Sequence, residues 1–73
     1  MSKILDVRGM LCPIPVLKAR KAMTGLALGE TLTVLATDPM APLDLRRYCQ
    51  EAGQEFMSEN RDGQEFRLII RRR

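Results

Sequence analysis

Histidine and tryptophan are absent from this sequence of 73 residues, which holds one tyrosine, two phenylalanines and two cysteines. Without histidine, neither a serine nor a cysteine nucleophile can be paired with an imidazole base, and no histidine-containing metal site can form. Two thiols cannot complete the usual four-ligand zinc shell without carboxylates or a second chain. Aromatic residues amount to 4% of the chain, too few for the stacking platform that accompanies a basic nucleic-acid surface. Long apolar runs are missing too. The longest uncharged stretch, Gly9 to Leu17, is far short of the roughly 20 residues of a membrane span. Residues 1–9 carry Lys3, Asp6 and Arg8 and lack the apolar centre of a secretory signal. These readings point to the cytoplasm, where thiols stay reduced, so a Cys12–Cys49 disulfide is not expected.

What is present is the balance of a globular protein, 45% apolar and 29% charged, at a length that fits one domain spanning residues 1–73. The net charge of +3 is unevenly spread: residues 1–37 carry +3, residues 38–70 carry −3, and Arg71, Arg72 and Arg73 close the chain with +3. That arginine tail reads as solvated, or as a weak contact to an acidic partner.

Periodicity gives six elements. Lys3–Val7 is a short β-prone run ended by Arg8-Gly9. From Pro13, the apolar residues Val16, Ala19, Met23 and Leu26 recur at helical spacing, and the helix is expected to close near Gly25 or Gly29. Glu30–Thr37 alternates, with Leu32, Val34 and Ala36 on one face and Thr31, Thr33 and Thr37 on the other. After an irregular turn at Asp38-Pro39, a second helix is expected to begin near Pro42 or Leu43. It would bury Leu45, Tyr48, Cys49 and Ala52 and stop at Gly53. Gln54–Asn60 and Gln64–Arg71 read as strands around Arg61-Asp62-Gly63, with Phe66, Leu68 and Ile70 inward. The order β-α-β-α-β-β in so short a chain predicts a two-layer α/β sandwich, with a mixed four-stranded sheet and both helices on one face.

One constellation can carry chemistry. Cys12-Pro13-Ile14-Pro15 lies between the first strand and the first helix. Proline is tolerated in a first helical turn, where N–H groups lack intrahelical partners, and Pro13 and Pro15 would fix the direction of the loop. A thiol at a helix start feels the positive end of the helix dipole, which favours thiolate. Loss of two backbone donors at the prolines makes that effect mild unless Arg8 or Lys18 helps. An exposed thiolate with no base beside it suits sulfur exchange better than acyl chemistry, because attack on a sulfane or disulfide sulfur needs no proton relay. The alternative is a buried, inert cysteine among Met10, Leu11, Ile14, Val16 and Leu17. Cys49, on the apolar stripe of the second helix, reads as core filler. Met10 and Leu11 either close the end of the core or rim an exposed patch that docks a partner.

The segment Asp6-Val7-Arg8-Gly9-Met10-Leu11-Cys12-Pro13-Ile14-Pro15-Val16-Leu17-Lys18 resembles the N-terminal signature of the TusA/SirA/YedF family of small sulfur-carrier proteins. The likeness continues through Gly29-Glu30-Thr31-Leu32, Thr37-Asp38-Pro39, Tyr48-Cys49 and Phe66-Arg67-Leu68-Ile69-Ile70-Arg71. This resemblance implies that Cys12 accepts a sulfane sulfur as a persulfide from a cysteine desulfurase or rhodanese-type donor. Cys12 would then pass it to a downstream protein, toward tRNA 2-thiouridine or in sulfur oxidation and trafficking. Pro13 and Pro15 would shape the loop, and Arg8, Met10, Leu11, Ile14 and Lys18 would support docking. Ile14 fills the variable position of Cys-Pro-x-Pro, where members serving tRNA thiolation typically carry Glu. A carrier of this kind needs no cofactor or metal, is monomeric when alone and does not turn over as an independent enzyme. Two rival readings remain. One is a regulatory or RNA-binding module using Lys18, Arg20 and Lys21 with Arg71–Arg73, and the other is a thiol redox regulator.

Overall fold

The computed structural model of the chain describes residues 2–73, with Ser2 described by its backbone alone. Six elements follow in the expected order: β1 (Ser2–Val7), α1 (Ile14–Met23), β2 (Thr31–Ala36), α2 (Ala41–Ala52), β3 (Glu55–Asp62) and β4 (Glu65–Arg71). The sheet order is β1-β2-β4-β3, with β1 parallel to β2 and β4 antiparallel to both of its neighbours. The crossovers β1-α1-β2 and β2-α2-β3 therefore move across the sheet in the same direction. Crossovers of one hand moving one way place their helices on the same face. This is the two-layer α/β sandwich that the sequence predicts.

The core lies between that face and the two helices. Cross-strand rows Leu5–Val34–Leu68, Val7–Ala36–Phe66 and Leu32–Ile70 point inward, and Ala19, Met23, Leu45, Tyr48 and Cys49 close over them. Alternation in β2 is strict, with Leu32, Val34 and Ala36 buried and their neighbours half-buried. Among the described residues no helix covers the opposite face of the sheet, and Ile4 on it is 72% exposed.

Differences from the expected boundaries have local causes. α1 ends at Met23, before either glycine, where the amides of Thr24, Gly25 and Leu26 bond to carbonyls three residues back and the Thr24 hydroxyl adds a bond to Lys21 O at 2.6 Å. Leu26 is buried as its spacing suggests, yet from the turn beyond the helix. α2 starts one residue ahead of Pro42, whose missing N–H costs nothing in a first turn. Ala52, expected on the buried stripe, is exposed in the last turn. Gly53 then stops the helix at φ 74, a left-handed conformation that a side chain would disfavour. The β3–β4 turn is tighter than expected, only Gly63 and Gln64 lying between the strands.

Of the arginine tail, expected to be solvated, Arg73 is exposed, whereas Arg71 and Arg72 are half-buried. Arg72 extends the pairing of β4 beyond Arg71, its N–H donating to Glu30 O at 2.9 Å and its carbonyl accepting from Gly29 N at 2.7 Å. Its guanidinium donates to the carbonyl of Leu26, one of the groups left over after α1 unwinds. The Arg71 side chain lies 3.7 Å from Glu55, and the Arg73 amide donates to the Gln54 side chain at 2.8 Å. No helix among the described residues is long and apolar enough to cross a membrane.

Truncating a fully buried side chain and one on the open sheet face separates the two layers energetically. Leu68→Ala is expected to lower unfolding stability by about 2–5 kcal/mol. Ile4→Ala should cost less than about 1 kcal/mol, both read from urea denaturation midpoints.

Candidate functional site

The parallel pairing of β1 with β2 determines where the site sits. Val7 and Ala36, the last residues of the two strands, are register partners, so the loops that follow leave the sheet side by side. Each loop then feeds the first turn of a helix. The loops are stitched together. Gly9, at φ 81, turns its N–H onto the Thr37 hydroxyl at 2.8 Å. Among the described residues, Asp38 is the buried charged one, 6% exposed. Its Oδ2 accepts the Cys12 N–H, and its Oδ1 accepts the Met40 N–H at 3.0 Å. One carboxylate thus holds both helix approaches, and the Ala41 N–H adds a bond to the Asp38 carbonyl at 3.0 Å.

Cys12 is exposed and stands just before Pro13, the residue that caps α1; the Cys12–Pro13 peptide is cis. Its thiol donates to Asp44 Oδ2 at 3.0 Å, across to the first turn of α2. This contact reverses the expected electrostatics. The hydrogen bond to Asp44 raises the Cys12 pKa above that of an ordinary thiol, desolvation adds to the rise, and the charges of Asp44 and Asp38 push the same way. Arg47 alone among the named causes opposes them. A local reading of the helix start predicts a thiolate, whereas a carboxylate brought in from the second helix holds the proton on sulfur.

The cations expected to help are placed elsewhere. Arg8 forks onto Asp6, with Nη2 2.8 Å from Oδ2, and reaches Glu65 at 3.5 Å. That pairing holds the Asp6 carboxyl down at about 2. A shallow depression of about 200 Å³ beside Cys12 is lined on its polar side by Arg20, Asp44, Arg47 and Glu51. Lys18 is exposed on α1 and is not among its lining residues. Arg20 lies over the Tyr48 ring, 5.6 Å from its centroid.

Pro13 and Pro15 occupy the cap and the first turn of α1, and Pro15 is buried. Met10 packs half-buried against the core, and Leu11 is 70% exposed. Ile14 and Leu17 on α1 are exposed as well, and so are Met40 and Leu43 where α2 begins. Cys49 is 2% exposed, and burial lifts its thiol to about 11.

The fold and site define a class: a small two-layer α/β protein that presents an exposed thiol where two helix starts converge. The family pattern described as "Sulfurtransferase TusA" matches residues 3–72. A putative sulfur carrier protein of Neisseria meningitidis is 39% identical over 69 residues, 94% of this chain and 93% of that one. The sulfur carrier protein TusA of Allochromatium vinosum is 34% identical over 68 residues, covering 93% and 90%. In structure, the chain is similar to a SirA-like protein from Desulfitobacterium hafniense, with a TM-score of 0.77 at 30% identity, covering 97% of this chain and 96% of the other. The chain belongs to the TusA family of sulfur carriers.

Two consequences can be measured. Asp38→Ala would leave the Cys12 and Met40 amides without their acceptor, and is expected to cost about 2–4 kcal/mol in urea unfolding. Under native conditions iodoacetamide should add one carbamidomethyl group, at Cys12; peptide mapping would find Cys49 modified only after denaturation.

Proposed function

We propose that Cys12 carries a sulfane sulfur as a persulfide between a donor and an acceptor protein. The observation that supports this most directly is the exposed thiol of Cys12, held on a clamped loop in a TusA-family chain. Loading conserves atoms and electrons: donor R–S–SH and Cys12–SH give R–SH and Cys12–S–SH. A new sulfur–sulfur bond forms at Cys12 Sγ as the donor's breaks. The donor sulfur leaves with the proton that Cys12 gives up, and no external oxidant is needed. Unloading is the same displacement, with Cys12 as the leaving group.

The donor is a protein of the cysteine desulfurase or rhodanese type, and the acceptor is a downstream relay protein, both in the cytoplasm. Pro13 and Pro15 hold the loop that presents the thiol. Leu11 and Ile14 form an exposed apolar rim on the α1 side, and Met40 and Leu43 form one on the α2 side, a surface suited to transient docking. Ile14 makes this rim apolar where a carboxylate would make it acidic, which favours a partner with an apolar contact surface at that point. The rival reading as an RNA-binding module loses part of its basic surface, because the Arg71 and Arg72 side chains turn to Glu55 and to the Leu26 carbonyl.

Incubation with a cysteine desulfurase, cysteine and pyridoxal phosphate should add the mass of one sulfur atom to the intact protein. Cys49→Ser should gain the same mass, and Cys12→Ser should gain none. Sulfur bound by Cys12→Ser but not by Cys49→Ser would assign the role to the other cysteine.

A further inference from the structure

Asp44 lies 32 residues from Cys12 in the chain, yet its carboxylate meets the thiol at 3.0 Å. Both partners are fixed in place. The Asp44 amide donates to Met40 O at 2.9 Å in the first turn of α2, and the Cys12 amide is held by Asp38. A carboxylate can only accept from a thiol, so this contact exists while sulfur keeps its proton. Removing that proton would set two anions against each other at the same distance.

The groups facing Cys12 come from both helices and from the loop before α2. Asp38, Asp44 and Glu51 bring negative charge, while Arg47 and Arg20 bring positive charge. Two aspartates act against thiolate and one arginine acts for it.

We propose that Asp44 is a positioning residue that keeps the proton on Cys12 in the unpartnered protein, so that the thiol becomes nucleophilic when a partner brings a cationic side chain against the Asp44 carboxylate. The resting carrier is thereby protected from oxidation, because disulfide formation also requires thiolate. A lysine or arginine laid on Asp44 neutralises the charge that opposes ionisation and competes for the oxygen that holds the S–H. The proton then passes to the donor's departing sulfur, as in the balanced exchange above. The second half of the proposal rests on the carrier reading; the first half concerns the free protein alone.

The test is the pH profile of Cys12 alkylation by iodoacetamide, a neutral reagent. Asp44→Asn should move the midpoint to lower pH and raise the rate at pH 7 several-fold. Asp44→Glu should return the profile toward wild type, and Arg47→Gln should move it to higher pH. Diamide-driven disulfide dimerisation should be faster in Asp44→Asn than in wild type. A folded Asp44→Asn protein whose midpoint stays or rises overturns the proposal. If that variant does not fold, an Arg47→Gln profile identical to wild type overturns it instead.

Tetralysine at low ionic strength stands in for the partner's cations. It should speed alkylation of wild type and leave Asp44→Asn unchanged. No acceleration, or equal acceleration of both, overturns the cationic-partner half. A wild-type protein that shows the Asp44 effect but gains no sulfur from a desulfurase would overturn the carrier reading and leave the role of Asp44 standing.

Discussion

The Asp38 carboxylate accepts hydrogen bonds from the amides of Cys12 and Met40, and so couples two loops that leave neighbouring parallel strands. Burying a carboxylate is costly unless its oxygens are satisfied, and here both are. The amides that satisfy it come from segments leading into α1 and α2, where backbone donors lack helical partners and the dipoles favour an anion. Satisfaction of the charge and closure of the loops are therefore the same event. The position of Cys12, its distance from Asp44 and the apolar rim around it all depend on those bonds.

The same arrangement sets presentation against reactivity. An exposed thiol is open to any oxidant or electrophile, and a helix start would sharpen that exposure by favouring thiolate. Asp44 offsets the dipole with a full negative charge at contact distance, and a charge in contact outweighs partial charges aligned along a short helix. The carrier keeps its sulfur in the open, and its neighbours keep the proton on it. Cys49 has its reactivity suppressed by another route, through burial alone. The two cysteines differ less in chemistry than in what faces them.

Most of the architecture could be read from periodicity, because a strand such as β2 or a helix such as α2 writes its buried face into sequence spacing. The end of α1 could not, since it lies where the amide bonds tighten to three residues back at Thr24, ahead of either glycine stop. The candidate site was legible as a place but not as an electrostatic environment. Cys12-Pro13-Ile14-Pro15 marks a loop entering a helix, whereas Asp44 looks like an ordinary outward residue of α2 until the sheet sets the two helix starts together. Arg8 misled for a different reason, its main partner being Asp6 two residues away, with Glu65 on β4 only at 3.5 Å. Local sequence reports dipoles and turns well. Charges that meet across the fold need the strand order, and parallel pairing of β1 with β2 was the clue that could have brought Asp38 and Asp44 to Cys12.

The register of the sheet has one more effect. Ser2 and Arg71 both pair with Thr31, at the opposite end of β2 from Ala36 and the Cys12 loop. The polypeptide thus enters and leaves at one pole and offers its sulfur at the other. Both ends of the described sheet pairing therefore lie away from the surface that presents the thiol.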